Sequence, residues 1–176
     1  MNLEEKIKSS IRDVADFPKK GIIFKDITPV LANAQLSSEI VDALVEHYKE
    51  QKLDAIAGIE SRGFFFGFAL AMKLGIPFIP IRKAGKLPFK TVSIEYALEY
   101  GTAKIEMNVD AVTEGMRVLI HDDLLATGGT AAAAADLIKG QGGDVAGFGF
   151  MVNLDFLNGS ENLIKHSNNI HSIIKY

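Results

Sequence analysis

The chain has 176 residues, 48% of them apolar and 23% charged, a balance that supports one compact core and argues against disorder. Its 19 basic and 22 acidic residues leave a formal net charge of −3, the wrong sign for a DNA or membrane-surface partner. It has no Cys, which excludes a disulfide framework, a thiolate zinc site and a cysteine nucleophile, and suits a reducing compartment.

The first residues alternate acidic and basic side chains without an apolar signal core. The longest apolar run, 63–72, is far short of the roughly 20 residues that span a bilayer. The expectation is a soluble cytoplasmic protein forming a single domain over 1–176. Leu3, Ile7, Ile11 and Val14 recur at helical spacing, which predicts a first amphipathic helix ending before Phe17-Pro18. A second helix is expected over 38–51, where Ile40, Val41, Leu44, Val45 and Tyr48 form one stripe opposite Glu39, Asp42, Glu46 and Lys49. The run 55–59 reads as a strand that turns at Glu60-Ser61-Arg62-Gly63 into a helix over 64–74, stopped by Gly75 before a strand at 77–81. Next comes a long polar stretch with Gly85, Pro88 and Gly101, of the length found in working lids or disordered connections, and then a strand-like run at 103–107. A second strand, helix, strand unit follows at 117–121, 128–138 and 144–152, with Gly140, Gly142 and Gly143 as the helix stop. Two such units predict an α/β fold, a parallel sheet covered by helices on both faces. The alanines at 131–135 read as a helix face packed on that sheet. Phe64, Phe65, Phe66 and Phe68 read as core or subunit interface rather than a stacking platform.

The chemistry concentrates in residues 118–130, VLIHDDLLATGGT. An apolar strand ends in two adjacent carboxylates, Asp122 and Asp123, and a small-residue loop then opens a helix. The unpaired N–H groups and positive dipole end of that helix favour an anion. Gly128 and Gly129 let the backbone close around a ligand without a Cβ in the way, while the hydroxyls of Thr127 and Thr130 add donors. At roughly 1.5 to 3 kcal/mol per charge-assisted hydrogen bond, three or four such bonds anchor a sugar phosphate. Asp122 and Asp123 are pure acceptors, suited to ribose hydroxyls. The combination describes a ribose 5-phosphate at the strand end, where open α/β sheets place their ligands. Other glycine motifs fail: Gly58 and Gly63 have P-loop spacing without the Lys-Ser/Thr that must follow, and Ser61 misses the spacing of a nucleophile elbow. His47, His121, His166 and His171 form no metal-ligand spacing.

Residues 118–130 closely resemble the phosphoribosyl diphosphate (PRPP) binding motif of the type I phosphoribosyltransferases. Three further blocks are similar to the adenine branch of that family. Phe17-Pro18 with 21–31 (GIIFKDITPVL) looks like its small N-terminal hood over the base, mainly residues 1–35. Residues 57–64 (AGIESRGF) are similar to its pyrophosphate loop, and 81–88 (IRKAGKLP) with Leu98-Glu99-Tyr100-Gly101 to its flexible lid.

The resemblance implies the type I phosphoribosyltransferase fold, a mostly parallel central sheet flanked by helices with a hood and a lid. It implies purine salvage by transfer of ribose 5-phosphate from PRPP to N9 of adenine, giving AMP and pyrophosphate. Mg²⁺ would be bound through PRPP and pyrophosphate, with no metal site built by the protein alone. PRPP would be bound by Ser61, Arg62, Arg82, Lys83, Lys86, Asp122, Asp123, Ala126, Thr127, Gly128, Gly129 and Thr130. The base would lie against Ile23, Phe24, Lys25, Ala126 and Leu154, and Glu99 and Arg62 would be catalytic. A homodimer with the lid near the partner subunit is also implied, with neither nucleic acid nor membrane as partner. Two alternatives stand beside this reading: a phosphoribosyltransferase for another purine base, and a PRPP-sensing regulator without turnover. The departures from the family pattern are His121 in an apolar strand position, Asn153 for a frequent acid beside the base, Lys25 for Arg, and Phe89-Lys90 at the lid tip.

Overall fold

The computed structural model describes residues 1–98 and 101–176. The first helix, α1 (Leu3–Ser10), starts at Asn2, whose side chain accepts the Glu5 N–H while Glu5 reaches back to the Asn2 N–H. That reciprocal cap satisfies donors that the first turn leaves orphaned. The predicted helix over Ile11 and Val14 is not continuous: the backbone extends at Ile11, and β1 (Arg12–Ala15) pairs antiparallel with β2 (Ile23–Asp26). Val14 faces Phe24 across this hairpin. A short α2 (Thr28–Leu31) leads into α3 (Ala34–Tyr48), capped by the Asn33 side chain on the Leu36 N–H. It begins and ends a few residues earlier than its apolar stripe predicts.

The main sheet has seven strands in the order β5-β6-β4-β3-β7-β8-β9. In chain order these are β3 (Ala55–Ile59), β4 (Phe78–Lys83), β5 (Thr91–Ala97), β6 (Thr102–Asn108), β7 (Arg117–Leu125), β8 (Asp144–Asn153) and β9 (Ile170–Lys175). Pairings from β4 through β9 are parallel, and β6 is antiparallel to both β4 and β5. The connections β3–α4–β4 and β7–α5–β8 use α4 (Gly63–Leu74) and α5 (Gly129–Gly140), as the two predicted units require. Most of the polar stretch after β4 is not loop: β5 and β6 form a hairpin at the sheet edge.

Strand alternation divides the core in two. Ile56 and Leu119 pack with α1, α3 and α4, whereas Ala57, Val118 and Ile120 pack with α5 on the opposite face. Ala131, Ala132, Ala133, Ala134 and Ala135 are all buried there, so the alanine run does bring α5 close to the sheet. The phenylalanines split as helical geometry demands, Phe66 buried, Phe65 and Phe68 half exposed. Among the described residues no helix is long and apolar enough to cross a membrane.

Ile120 is fully buried at the centre of the sheet. Truncation to Ala removes its transfer energy and leaves a cavity, so Ile120→Ala should destabilise the protein by about 2 to 5 kcal/mol. Urea unfolding at equilibrium measures this as a fall in midpoint.

Candidate active site

The sheet order sets the C-terminal ends of β4, β3 and β7 side by side. From β3 the chain leaves through α4 on one face, and from β7 through α5 on the other. Such a reversal opens a crevice at the strand ends, the usual ligand position in open α/β sheets. Each of these three ends carries charged residues singled out from the sequence.

β7 runs four residues beyond its predicted end at 121, to Leu125, so the strand continues past Asp122 and Asp123. The segment that follows turns into α5 at Gly128, whose φ of +81° favours glycine. A Cβ on Gly128 would overlap the Gly159 carbonyl oxygen. Asn162 Nδ2 donates to the Thr127 carbonyl at 2.7 Å, so this loop is braced from behind. The Gly129, Thr130 and Ala131 N–H groups lie in the first turn of α5, which has no partner for them within the helix. In front of them is a cavity of about 90 Å³ lined by Asp122, Ala126, Thr127, Gly128, Gly129 and Thr130, among others.

Asp122 Oδ1 accepts the Asp123 N–H at 2.8 Å. Asp123 is 2% exposed, and its Oδ2 lies 3.1 Å from Arg62 Nε in an ion pair that lacks hydrogen-bond alignment. Burial, helped by the Asp123 charge, pushes the Asp122 carboxyl well above its ordinary range. Burial also raises Asp123, with the Arg62 guanidinium acting against it.

Arg62 occupies the N-cap of α4, and its other nitrogens reach the hood. Nη1 donates to the Lys25 carbonyl at 3.4 Å, and the guanidinium lies 4.8 Å from the Phe24 ring centroid. The Lys25 side chain is engaged elsewhere, with Asp13 at 2.7 Å and over the Tyr176 ring at 4.0 Å. Ile23 is 59% exposed on the same hairpin. Leu154 sits just past β8, its N–H donating to the Leu125 carbonyl beside Ala126. Ser61, exposed in the turn after β3, follows a cis peptide from Glu60.

Around the end of β4, two carboxylates with buried side chains, Glu60 just after β3 and Glu106 in β6, organise the basic residues. Glu60 accepts from Arg82 Nε at 3.1 Å, from the Lys83 N–H at 2.9 Å and from Lys86 Nζ. Glu106 Oε1 accepts three successive N–H groups, those of Gly85, Lys86 and Leu87, and its Oε2 accepts the Thr91 hydroxyl. Burial works to raise both carboxyls, but these donors outweigh it and hold both below the ordinary range. Glu99 and Tyr100, singled out from the sequence, lie outside the described residues.

Sequence reasoning missed Glu60, Glu106, Tyr96 and Asn162 as site-shaping residues. Tyr96 Oη pairs with Thr130 Oγ1 at 3.0 Å, joining the edge hairpin to α5. The alternation Val92, Ile94, Tyr96 was the available signal for β5. His121 is fully buried against Gly67 of α4, and burial lowers its pKa to about 4, so it stays neutral at physiological pH. Asn153, also buried, donates to Asp155 at 3.0 Å. No cluster of three metal-ligating side chains occurs among the described residues.

Comparison with known proteins bears on this arrangement. A family described as "Phosphoribosyl transferase domain" matches residues 26–167. The adenine phosphoribosyltransferase of Cytophaga hutchinsonii is 55% identical over 174 residues, 99% of this chain and 96% of that protein. The chain belongs to the adenine phosphoribosyltransferase family. The crystal structure of the Thermoanaerobacter pseudethanolicus adenine phosphoribosyltransferase superposes with a TM-score of 0.95 at 50% identity, covering 99% of this chain and 100% of that one. The Saccharomyces cerevisiae family member, solved with an iminoaltritol bisphosphate and adenine, gives a TM-score of 0.90 at 38% identity, covering 98% of each chain. As an adenine phosphoribosyltransferase family enzyme, it converts PRPP and adenine to AMP and pyrophosphate in purine salvage.

A carboxyl whose pKa is raised by folding favours the native state less as pH climbs through the unfolded value near 3.9. Replacing Asp122 by Asn removes that cost. Ligand-free Asp122→Asn should therefore melt a few degrees higher than the parent at pH 7. The gain should shrink toward pH 4 and vanish below it, as the unfolded parent's carboxyl becomes protonated like the folded one; thermal melts at pH 7 and pH 4 check it.

Proposed function

We propose that the crevice at the ends of β4, β3 and β7 is where this enzyme transfers ribose 5-phosphate from PRPP to adenine, and that the chain acts as one domain in the cytoplasm. One observation carries the placement: the small cavity over residues 127–130, with Asp122 in its lining and Asp123 next to it in the chain. The first-turn amides of α5 and the hydroxyls of Thr127 and Thr130 hold the 5-phosphate, which that small volume suits, while Asp122 and Asp123 accept from the ribose hydroxyls. Arg62, Arg82, Lys83 and Lys86, with Ser61, face the pyrophosphate, which gains negative charge as the glycosidic bond breaks. Ile23, Phe24, Lys25, Ala126 and Leu154 take the base. Main-chain groups of the hood read its C6 amine, a donor where guanine and hypoxanthine carry an acceptor. Glu99 handles the proton at the purine ring.

Mg²⁺ fits these residues as a companion of the substrate. The buried Asp123 Oδ2 has no hydrogen-bond partner among the described residues, and one or two carboxylates suffice for an ion that keeps waters and takes substrate oxygens. When bound, it neutralises charge developing on the departing pyrophosphate.

The decisive assay offers PRPP, Mg²⁺ and each purine base in turn to the purified protein. Nucleotide should form from adenine and not from guanine, hypoxanthine or xanthine. Asp123→Asn and Glu99→Ala should each lower kcat by about 10²-fold or more, at an unchanged fold by circular dichroism. Full activity in both variants would refute the assigned roles.

A homodimer is part of the same proposal. Phe65, Phe68 and Met72 are 50%, 54% and 68% exposed, and an apolar groove of about 530 Å³ runs between α3 and α4 past Phe65 and Met72. Surface of this kind marks an association site. Sedimentation equilibrium should report a dimer, and Phe68→Glu should shift it to monomer.

A further inference from the structure

Glu60 does something that the transfer reaction does not by itself require. Its side chain is only 7% exposed, whereas Arg82 and Lys86, which both pair with it, are 34% and 48% exposed. The carboxylate is thus the floor of a small basic pocket and the two cations its solvent-facing rim. Arg82 is further restrained because Nη1 donates to the Lys86 carbonyl at 3.2 Å. The backbone of the same turn is fixed independently, by Glu106 on the N–H groups of Gly85, Lys86 and Leu87. The turn therefore stays in place if the Arg82 and Lys86 side chains change partner. A Lys on a four-carbon stem exchanges partners readily, and a half-exposed ion pair is weak enough to be outcompeted.

We propose that Glu60 is an internal counter-anion: it holds Arg82 and Lys86 in the ligand-free enzyme and yields them to the pyrophosphate group of PRPP, setting how tightly that group is held. This rests on the reading that the two cations serve the pyrophosphate. A group bearing several negative charges outcompetes a single carboxylate for the pair. When pyrophosphate leaves, Glu60 reclaims both cations and assists its release. The bonds from Lys86, Lys83 and Arg82 keep the carboxyl ionised despite burial, as a counter-anion must be.

Glu60→Gln preserves the shape and the acceptor for the Lys83 N–H but removes the charge. It should lower KM for PRPP, and the inhibition constant of pyrophosphate, by about two- to fivefold, the size of a half-exposed ion pair. KM for adenine should not change. Loss of a merely structural contact would weaken PRPP binding, so tightening separates the two roles. Lys86→Ala should raise KM for PRPP and reduce the gain from Glu60→Gln in the double variant. If Lys86→Ala and Arg82→Ala both leave KM for PRPP unchanged, the assignment of these cations to pyrophosphate fails, and the inference with it. If they raise it while Glu60→Gln leaves KM for PRPP unchanged or higher, the counter-anion role alone is overturned.

Discussion

Two adjacent acids in a buried strand end are costly, and the cation that acts on both of them is Arg62. Desolvation favours the neutral carboxyls, and the Arg62 ion pair offsets part of that cost for Asp123. Because the same guanidinium bonds the Lys25 carbonyl and lies over Phe24, this single side chain couples the acids on β7 to the hood hairpin. The hood has a two-stranded sheet of its own, and such a hairpin alone is marginally stable in water. Its position is therefore tied through Arg62 to the acids on β7, and a substitution at Arg62 disturbs both at once.

Under the proposed function, ribose hydroxyls and a companion cation would give these carboxylates favourable partners. Binding of that kind would satisfy groups that folding alone leaves at a cost, a common trade between stability and activity at functional sites. Neutral, buried His121 takes no part in this balance. It packs where α4 approaches β7 most closely, at Gly63 and Gly67, and there its size matters more than its charge.

The parallel heart of the sheet was legible because buried strands and amphipathic helices leave strong local patterns, as at 55–59 and in the stripe of α3. Residues 118–130 stood out for another reason: the proposed phosphate site would need a particular order of small and hydroxyl residues, and the structure does place that order at a strand end and helix start. What escaped was set by distant partners. Val14 fits helical spacing with Ile11, yet it ends in a strand because Phe24 pairs across from it. The β5–β6 hairpin was hidden because β5 keeps only a half-buried apolar face, and its polar residues read as loop. Glu60 and Glu106 carry no local signature at all. Their meaning comes from N–H groups and cations about twenty residues away that only the folded chain brings within reach.

The pairing of Tyr96 and Thr130 has a directional consequence. Either hydroxyl can give its proton across that 3.0 Å gap. A phosphate drawing on Thr130 claims the only proton it has, so Tyr96 alone remains to donate. Occupancy of the loop would then choose one of two polarities for a bond that ends on the sheet's outermost strand, and news of a bound sugar would reach the far edge through a single hydrogen atom.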